Sequence, residues 1–136
     1  MAATTRRVIK PKTQRRLETE LVIWLATVSP DGRPLVVPVW FLWEAKSFLV
    51  YSLPGLKVQN IERNPKVELH FNSTPDGDDI VRIDGTARLP KRQPSAHLVP
   101  AYIKKYAALI KSYGWTPESF ARDYHVPIRI NAEKFR

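Results

Sequence analysis

The sequence predicts an α+β domain built on an antiparallel sheet or barrel, and three observations lead there. Five strand-like segments follow one another along the first two-thirds of the chain, interrupted by one short helical stretch. Two helical segments then precede a last strand. The links between consecutive strands are mostly short, which favours antiparallel pairing with the helices gathered to one side.

The 136 residues suit one domain, and a chain this long buries roughly two-thirds of its unfolded surface without staples. None are available, because there is no cysteine. Disulfides, thiolate nucleophiles, iron–sulfur clusters and Cys-based zinc sites are excluded together. No apolar run reaches the ~20 residues of a membrane span. Residues 1–15 are read as a flexible basic arm carrying Arg6, Arg7, Lys10, Lys12 and Arg15 without an acid. It lacks the apolar centre of a signal peptide, so a cytoplasmic location is expected. The folded domain is assigned to residues 16–136. A net charge of +9 points to an anionic partner, and charge alone does not choose among nucleic acid, acidic membrane and phosphorylated cofactor.

A short helix is expected over Thr13 to Glu20, with Thr13 as N-cap. Leu21 to Val28 is nearly continuous in apolar and β-branched residues, the pattern of a strand buried on both faces. Ser29-Pro30-Asp31-Gly32-Arg33 is a turn, since Pro presets φ and Gly accepts positive φ. Pro34 to Trp43 forms the second strand of a hairpin. Pro34 and Pro38 cannot donate to a ladder, so this strand belongs at an edge or carries a bulge. A third strand runs from Ser47 to Ser52 and is broken by Leu53-Pro54-Gly55.

The spacing predicts a helix over Leu56 to Arg63, stopped by Asn64-Pro65. Lys66 to Asn72 alternates, with Val67, Leu69 and Phe71 inward. Ser73 to Asp79 is a polar hairpin loop, and Asp79 to Leu89 a fifth strand. Val99, Ile103, Tyr106 and Ile110 then recur at helical spacing, with Pro100 in the first turn and Gly114 at the C-cap. Thr116-Pro117 opens a further helix to Asp123, and Val126 to Ile130 returns to strand.

The segment richest in chemistry is strand–Leu53-Pro54-Gly55–helix. A helix N-terminus offers unpaired N–H groups and a positive dipole end, which suit a phosphate. Ser52 adds a hydroxyl, Lys57 a point charge, and Asn60 lies three residues further along the same face. A plain strand-to-helix turn with a solvated lysine has the same local sequence, so both readings stay open at this level. The glycine run of a Walker motif is missing.

Taken in order, Leu25-Ala26-Thr27-Val28-Ser29-Pro30-Asp31-Gly32-Arg33-Pro34, Val37-Pro38-Val39-Trp40-Phe41, Val50-Tyr51-Ser52, Lys57-Val58-Gln59-Asn60-Ile61 and Asn64-Pro65-Lys66-Val67 resemble the pyridoxamine-phosphate-oxidase-like split-barrel proteins. Pro100 to Tyr106 and Gly114 to Phe120 are similar to the branch that uses the deazaflavin coenzyme F-420. The resemblance implies a six-stranded antiparallel split β-barrel with flanking helices. It also implies a homodimer with two cofactor sites at the interface, acting on a small organic substrate.

In such proteins the cofactor phosphate is held near the end of the third strand, here Ser52 and Lys57, with Tyr51 and Asn60 beside them. The ring lies along the second strand, here Pro38, Val39, Trp40 and Phe41. The oxidase proper has an arginine on that strand and a Ser-Arg-Lys run at the phosphate. Here the strand is apolar, and Leu56 stands where that run has arginine. Surplus positive charge suits the longer anionic tail of the deazaflavin, so F-420 is the expected cofactor and FMN the alternative.

No catalytic acid, base or nucleophile is expected, because in hydride transfer the cofactor carries the reactive carbon. No metal site is expected either. His70, His97 and His125 lack ligand spacing, and Asp76-Gly77-Asp78-Asp79 lacks the further ligands of a calcium loop. Trp24, Trp40, Trp43 and Trp115 read mainly as core or interface residues, Trp40 also as a wall of the cofactor cleft, and Trp115, just after a helix end, as a core residue within reach of a partner's site. Two other classes remain: a cofactor carrier without turnover, and a basic nucleic-acid-binding module. The latter is disfavoured by the absence of any helix-turn-helix, zinc-finger or RNP-like segment.

Overall fold

The computed structural model describes residues 9–136; the start of the basic arm, residues 1–8, lies outside them. Helix α1 (Pro11–Thr19) begins inside the stretch read as arm, two residues before the expected start. Lys10 is its N-cap and Thr13 falls within the helix, because Pro11 already has the φ a first helical turn needs. Leu17 is wholly buried. Arg16 pins the helix to the loop before the sixth strand, donating to the Asn72 carbonyl (2.7 Å) and the Asp79 carbonyl (3.1 Å).

Seven strands form one antiparallel sheet: β1 (Ile23–Val28), β2 (Pro34–Val39), β3 (Leu42–Glu44), β4 (Ser47–Ser52), β5 (Lys66–His70), β6 (Arg82–Arg88) and β7 (Val126–Phe135). Their order is β2-β1-β5-β6-β7-β4-β3. The two edge strands, β2 and β3, are consecutive in the chain, separated only by Trp40 and Phe41. Three peptide steps span at most about 11 Å, so the two edges must lie close together and the sheet must curl into a split barrel.

The expected count of six strands is therefore corrected to seven. Pro34 to Trp43 is one apolar run, but it pairs with β1 up to Val39 and with β4 from Leu42. Between them the chain changes partner and the ladder breaks.

The β1–β2 hairpin closes as the turn residues require: Ser29 N–H donates to Arg33 O and Gly32 N–H to Ser29 O, with Gly32 at φ +85°. β2 is an edge strand, the place its two prolines demand. β1, however, is not buried on both faces. Ile23, Leu25 and Thr27 point into the barrel, while Trp24, Ala26 and Val28 stay half-exposed on an outer face that is itself apolar. The doubly buried strand is β4, all six residues of which are covered. Phe48 and Val50 join the barrel core; Leu49 and Tyr51 pack under the helical layer.

That layer is α3 (Pro100–Ser112) and α4 (Pro117–Asp123), preceded by a single 3-10 turn at Ala96–Leu98. Tyr102, Tyr106 and Ile110 are the buried face of α3; Val99 and Ile103 flank it. α4 starts as its sequence directs, with Thr116 and Ser119 capping each other's backbone N–H and Pro117 following the cap. α2 (Leu56–Arg63) has the bounds expected of it and packs on β1 and β6, with Ile61 in the barrel core. Several expected strand limits move: β1 starts at Ile23 and β5 ends at His70, two residues inside their expected bounds, β6 runs only from Arg82 to Arg88, leaving Ile80 exposed, and β7 runs on to Phe135. Among the described residues no helix is long and apolar enough to cross a membrane.

Candidate functional site

Three elements end at one place. β2 delivers Pro38 and Val39, with Trp40 just beyond it; β4 delivers Tyr51 and Ser52; the first turn of α2 delivers Lys57. These six residues line one side of a pocket of about 300 Å³, at the small end of the range for ligand sites. The other side is aromatic: Tyr113, Trp115, Phe120 and Tyr124 from the end of α3 and from α4.

The cationic end is short-range and specific. Lys57 Nζ donates to Ser52 Oγ at 2.6 Å, and that hydroxyl donates to the Leu53 carbonyl at 2.6 Å. Burial pushes the Lys57 ammonium below its usual pKa. Among the described residues no carboxylate forms a salt bridge with it. The start of α2 beside it has neither a side-chain cap nor an acid in its first turn. Its leading N–H groups thus carry a partial positive charge that neither a side-chain cap nor a first-turn acid offsets. Gly55 is extended rather than left-handed, and a Cβ there would meet nothing within 4 Å, so space in front of the helix is open.

The aromatic end is a stack. The Trp40 ring lies parallel to Tyr106 (centroids 4.6 Å, 2° between planes) and near-parallel to Phe120 (5.4 Å). Tyr113 stacks on Trp115 at 4.6 Å and Phe120 on Tyr124 at 4.7 Å. Tyr51 presents its ring to the pocket but uses its hydroxyl internally, donating to Pro94 O (2.5 Å) and accepting from Gln93 Nε2 (3.3 Å). Burial raises its pKa. Among the described residues no carboxylate and no histidine lines the cavity. It can bind, orient and desolvate a flat anionic ligand, and among the described residues Lys57 is its one cationic side chain.

Six of the eight residues singled out from sequence therefore meet in one cavity, and two do not. Asn60 is buried beneath the helix, where its Nδ2 donates to Thr27 Oγ1 at 3.0 Å and ties α2 to β1. Phe41 is wholly buried in the barrel core, with Phe48 and Phe71 within 6 Å. The residues that sequence reasoning missed are Tyr113, Phe120 and Tyr124; Trp115, for which packing is the simpler sequence reading, lines the pocket of its own chain. The available signal was aromatic density: four of the twelve residues from Tyr113 to Tyr124 are aromatic. Elsewhere, His70 stacks on Trp24 at 6.2 Å, and no group of metal-ligating side chains occurs among the described residues.

The family model for pyridoxamine 5'-phosphate oxidase matches residues 9–136. The chain belongs to this family. No curated protein sequence matches it. Among solved structures, this family member is similar to an F420 reductase (25% identity, 90% of this chain and 94% of that one, TM-score 0.64). It also shares its fold with a FAD-binding protein from Mesorhizobium loti (19%, 96% and 92%, TM-score 0.61). A third relative in fold is the heme storage protein HutZ from Vibrio cholerae (18%, 94% and 92%, TM-score 0.64).

Proposed function

We propose that this protein is a homodimeric oxidoreductase that binds the deazaflavin coenzyme F-420, with FMN as the alternative cofactor, and reduces a small organic acceptor. The observation that carries the reading is Lys57. A half-buried ammonium with no acidic partner, braced on Ser52 beside an uncapped helix start, is matched by a phosphoryl group. The polar donors are at one end of the cavity and the flat aromatic walls at the other, which is the division of a phosphorylated ring cofactor.

The cofactor, when bound, supplies the hydride. The protein's part is then orientation and exclusion of water. Lys57 and Ser52 hold the anionic end, and Pro38, Val39 and Trp40 form the platform for the ring. Pro38 has no N–H, so this edge of the platform offers one backbone donor fewer to a ligand and to solvent alike. The F420 reductase among the similar structures, and the net charge of +9, favour the deazaflavin with its longer anionic tail. The family itself favours FMN as the second choice.

The dimer is supported by the outer face of the hairpin next to the pocket. Cross-strand pairs Trp24–Pro38, Ala26–Val36 and Val28–Pro34 make this face apolar, and Val36 is 47% exposed.

Titration of the purified protein with F-420, FMN and a nucleic acid tests the reading. F-420 binding followed by acceptor reduction is expected. Binding without turnover would reassign the protein as a carrier, and salt-sensitive nucleic-acid binding without flavin affinity would replace the enzyme by a basic module. Lys57→Ala is expected to weaken cofactor binding by about 1–3 kcal/mol, the range for hydrogen bonds to charged groups. An unchanged dissociation constant removes Lys57 from the site.

A further inference from the structure

Trp40 and Phe41 lie between the two edge strands and belong to no ladder, since β2 pairs with β1 through Val39 and β3 with β4 from Leu42. Their backbone groups need other partners, because buried peptide N–H and C=O groups do not stay unpaired. For Phe41 these partners come from two adjacent side chains of α3. The Phe41 N–H donates to Tyr106 Oη at 2.7 Å. The Phe41 carbonyl accepts from Lys105 Nζ at 2.7 Å and lies 2.9 Å from Tyr106 Oη. The single Tyr106 hydroxyl proton has a second acceptor in the Leu21 carbonyl at 2.7 Å, just ahead of β1. The Lys105 ammonium also sits 3.7 Å from the centre of the Phe41 ring.

Immediately next to this clamped peptide, the Trp40 indole lies flat on the Tyr106 ring, whose other face and hydroxyl are wholly buried. One tyrosine thus fixes both the backbone at the split and the indole that walls the pocket.

We propose that Tyr106 and Lys105 are positioning residues for the ligand site: from α3 they clamp the Phe41 peptide at the split of the barrel and so set the Trp40 wall. Neither touches the ligand. The inference rests on the reading of this pocket as the cofactor site, and it adds the device that holds the pocket's shape.

The experiment reads the indole and the ligand separately. The near-UV circular dichroism of the wild-type protein minus that of Trp40→Phe isolates the Trp40 band without any ligand. Tyr106→Phe keeps the stacked ring and removes only the hydroxyl. It is expected to alter the Trp40 band and to raise the dissociation constant for F-420 and FMN on the order of tenfold, the equivalent of a buried hydrogen bond left unmade. Lys105→Met, which loses the bond to the Phe41 carbonyl and the ammonium over the Phe41 ring but leaves Tyr106 in place, is expected to give a smaller change in the same direction, and Lys105→Arg to restore it. If Tyr106→Phe does not fold, the Lys105 pair decides alone. A wild-type Trp40 band and wild-type dissociation constants in the folded variants overturn the clamp. If the wild-type protein binds neither F-420 nor FMN, the cofactor reading fails, while the Trp40 band still accepts or rejects the clamp.

Discussion

Gly85 shows how tightly single residues are held at the centre of this sheet. It sits at the irregularity where β6 shifts register against β7. A Cβ there would lie 2.8 Å from Ile130 Cγ2 and 3.1 Å from the Asn131 carbonyl oxygen. The first is a side-chain methyl of the fully buried core and the second is backbone, so neither can move aside cheaply. Gly85→Ala is expected to destabilise the fold by about 1–3 kcal/mol, the usual cost of overpacking, measured as a lower denaturant midpoint with an unchanged slope. Lys57 and Asn60 carry the opposite lesson. Both lie in α2, and spacing alone placed them together. One turns to the pocket and the other binds Thr27, 33 positions away in the chain. Helical spacing fixes angular neighbours, but what those neighbours face depends on residues distant in sequence.

At the scale of elements, the features set by a few adjacent residues were legible. The Ser29–Arg33 turn, the bounds of α2 and the Thr116–Ser119 cap all follow from Pro, Gly and hydroxyl chemistry acting locally. The break at Trp40-Phe41 was not, because nothing in its own residues stops a strand; the closure of the sheet does. The aromatic wall was hidden for a similar reason. Tyr113 and Phe120 face the pocket only once α3 and α4 lie across β4.

The contact of α3 with the split also has a pH signature. Burial lowers the Lys105 pKa to about 8, against a weaker opposing pull from Glu20. Between about 8 and the ordinary lysine value of 10.5, the unfolded chain binds a proton that the folded protein has lost. Stability from this group therefore rises with pH across that window, and its buried charge is unfavourable below it. Lys105→Met lacks both effects. Chemical denaturation from pH 7 to 10.5 is expected to show the wild type gaining stability relative to Lys105→Met as pH increases. A constant difference would mean that Lys105 titrates near its ordinary value.

For the whole molecule, the proposed dimer needs an apolar face beside the pocket, and the β1–β2 hairpin offers one. A chain of net charge +9 is self-repelling, yet one face of the β1–β2 hairpin carries no charged side chain. Val36 and the flanking prolines Pro34 and Pro38 are exposed there, in register with Ala26, Val28 and Trp24. The prolines also deny this edge the donors that would let another strand add to it, so association must use the face rather than the edge. Pro38 belongs both to that face and to the pocket wall, so the proposed dimer would link association to the ligand site. Val36→Arg places a charge in the middle of the face without touching the core. It is expected to shift the protein from twice the 15.7 kDa chain mass to a single chain in analytical ultracentrifugation, with far-UV circular dichroism unchanged. Because the proposed cofactor sites lie at the interface, the same variant is expected to bind F-420 more weakly at low protein concentration and to recover affinity as concentration rises. A wild-type protein that sediments as one chain at every concentration would show that the hairpin face has another role, and that the pocket is complete within a single barrel.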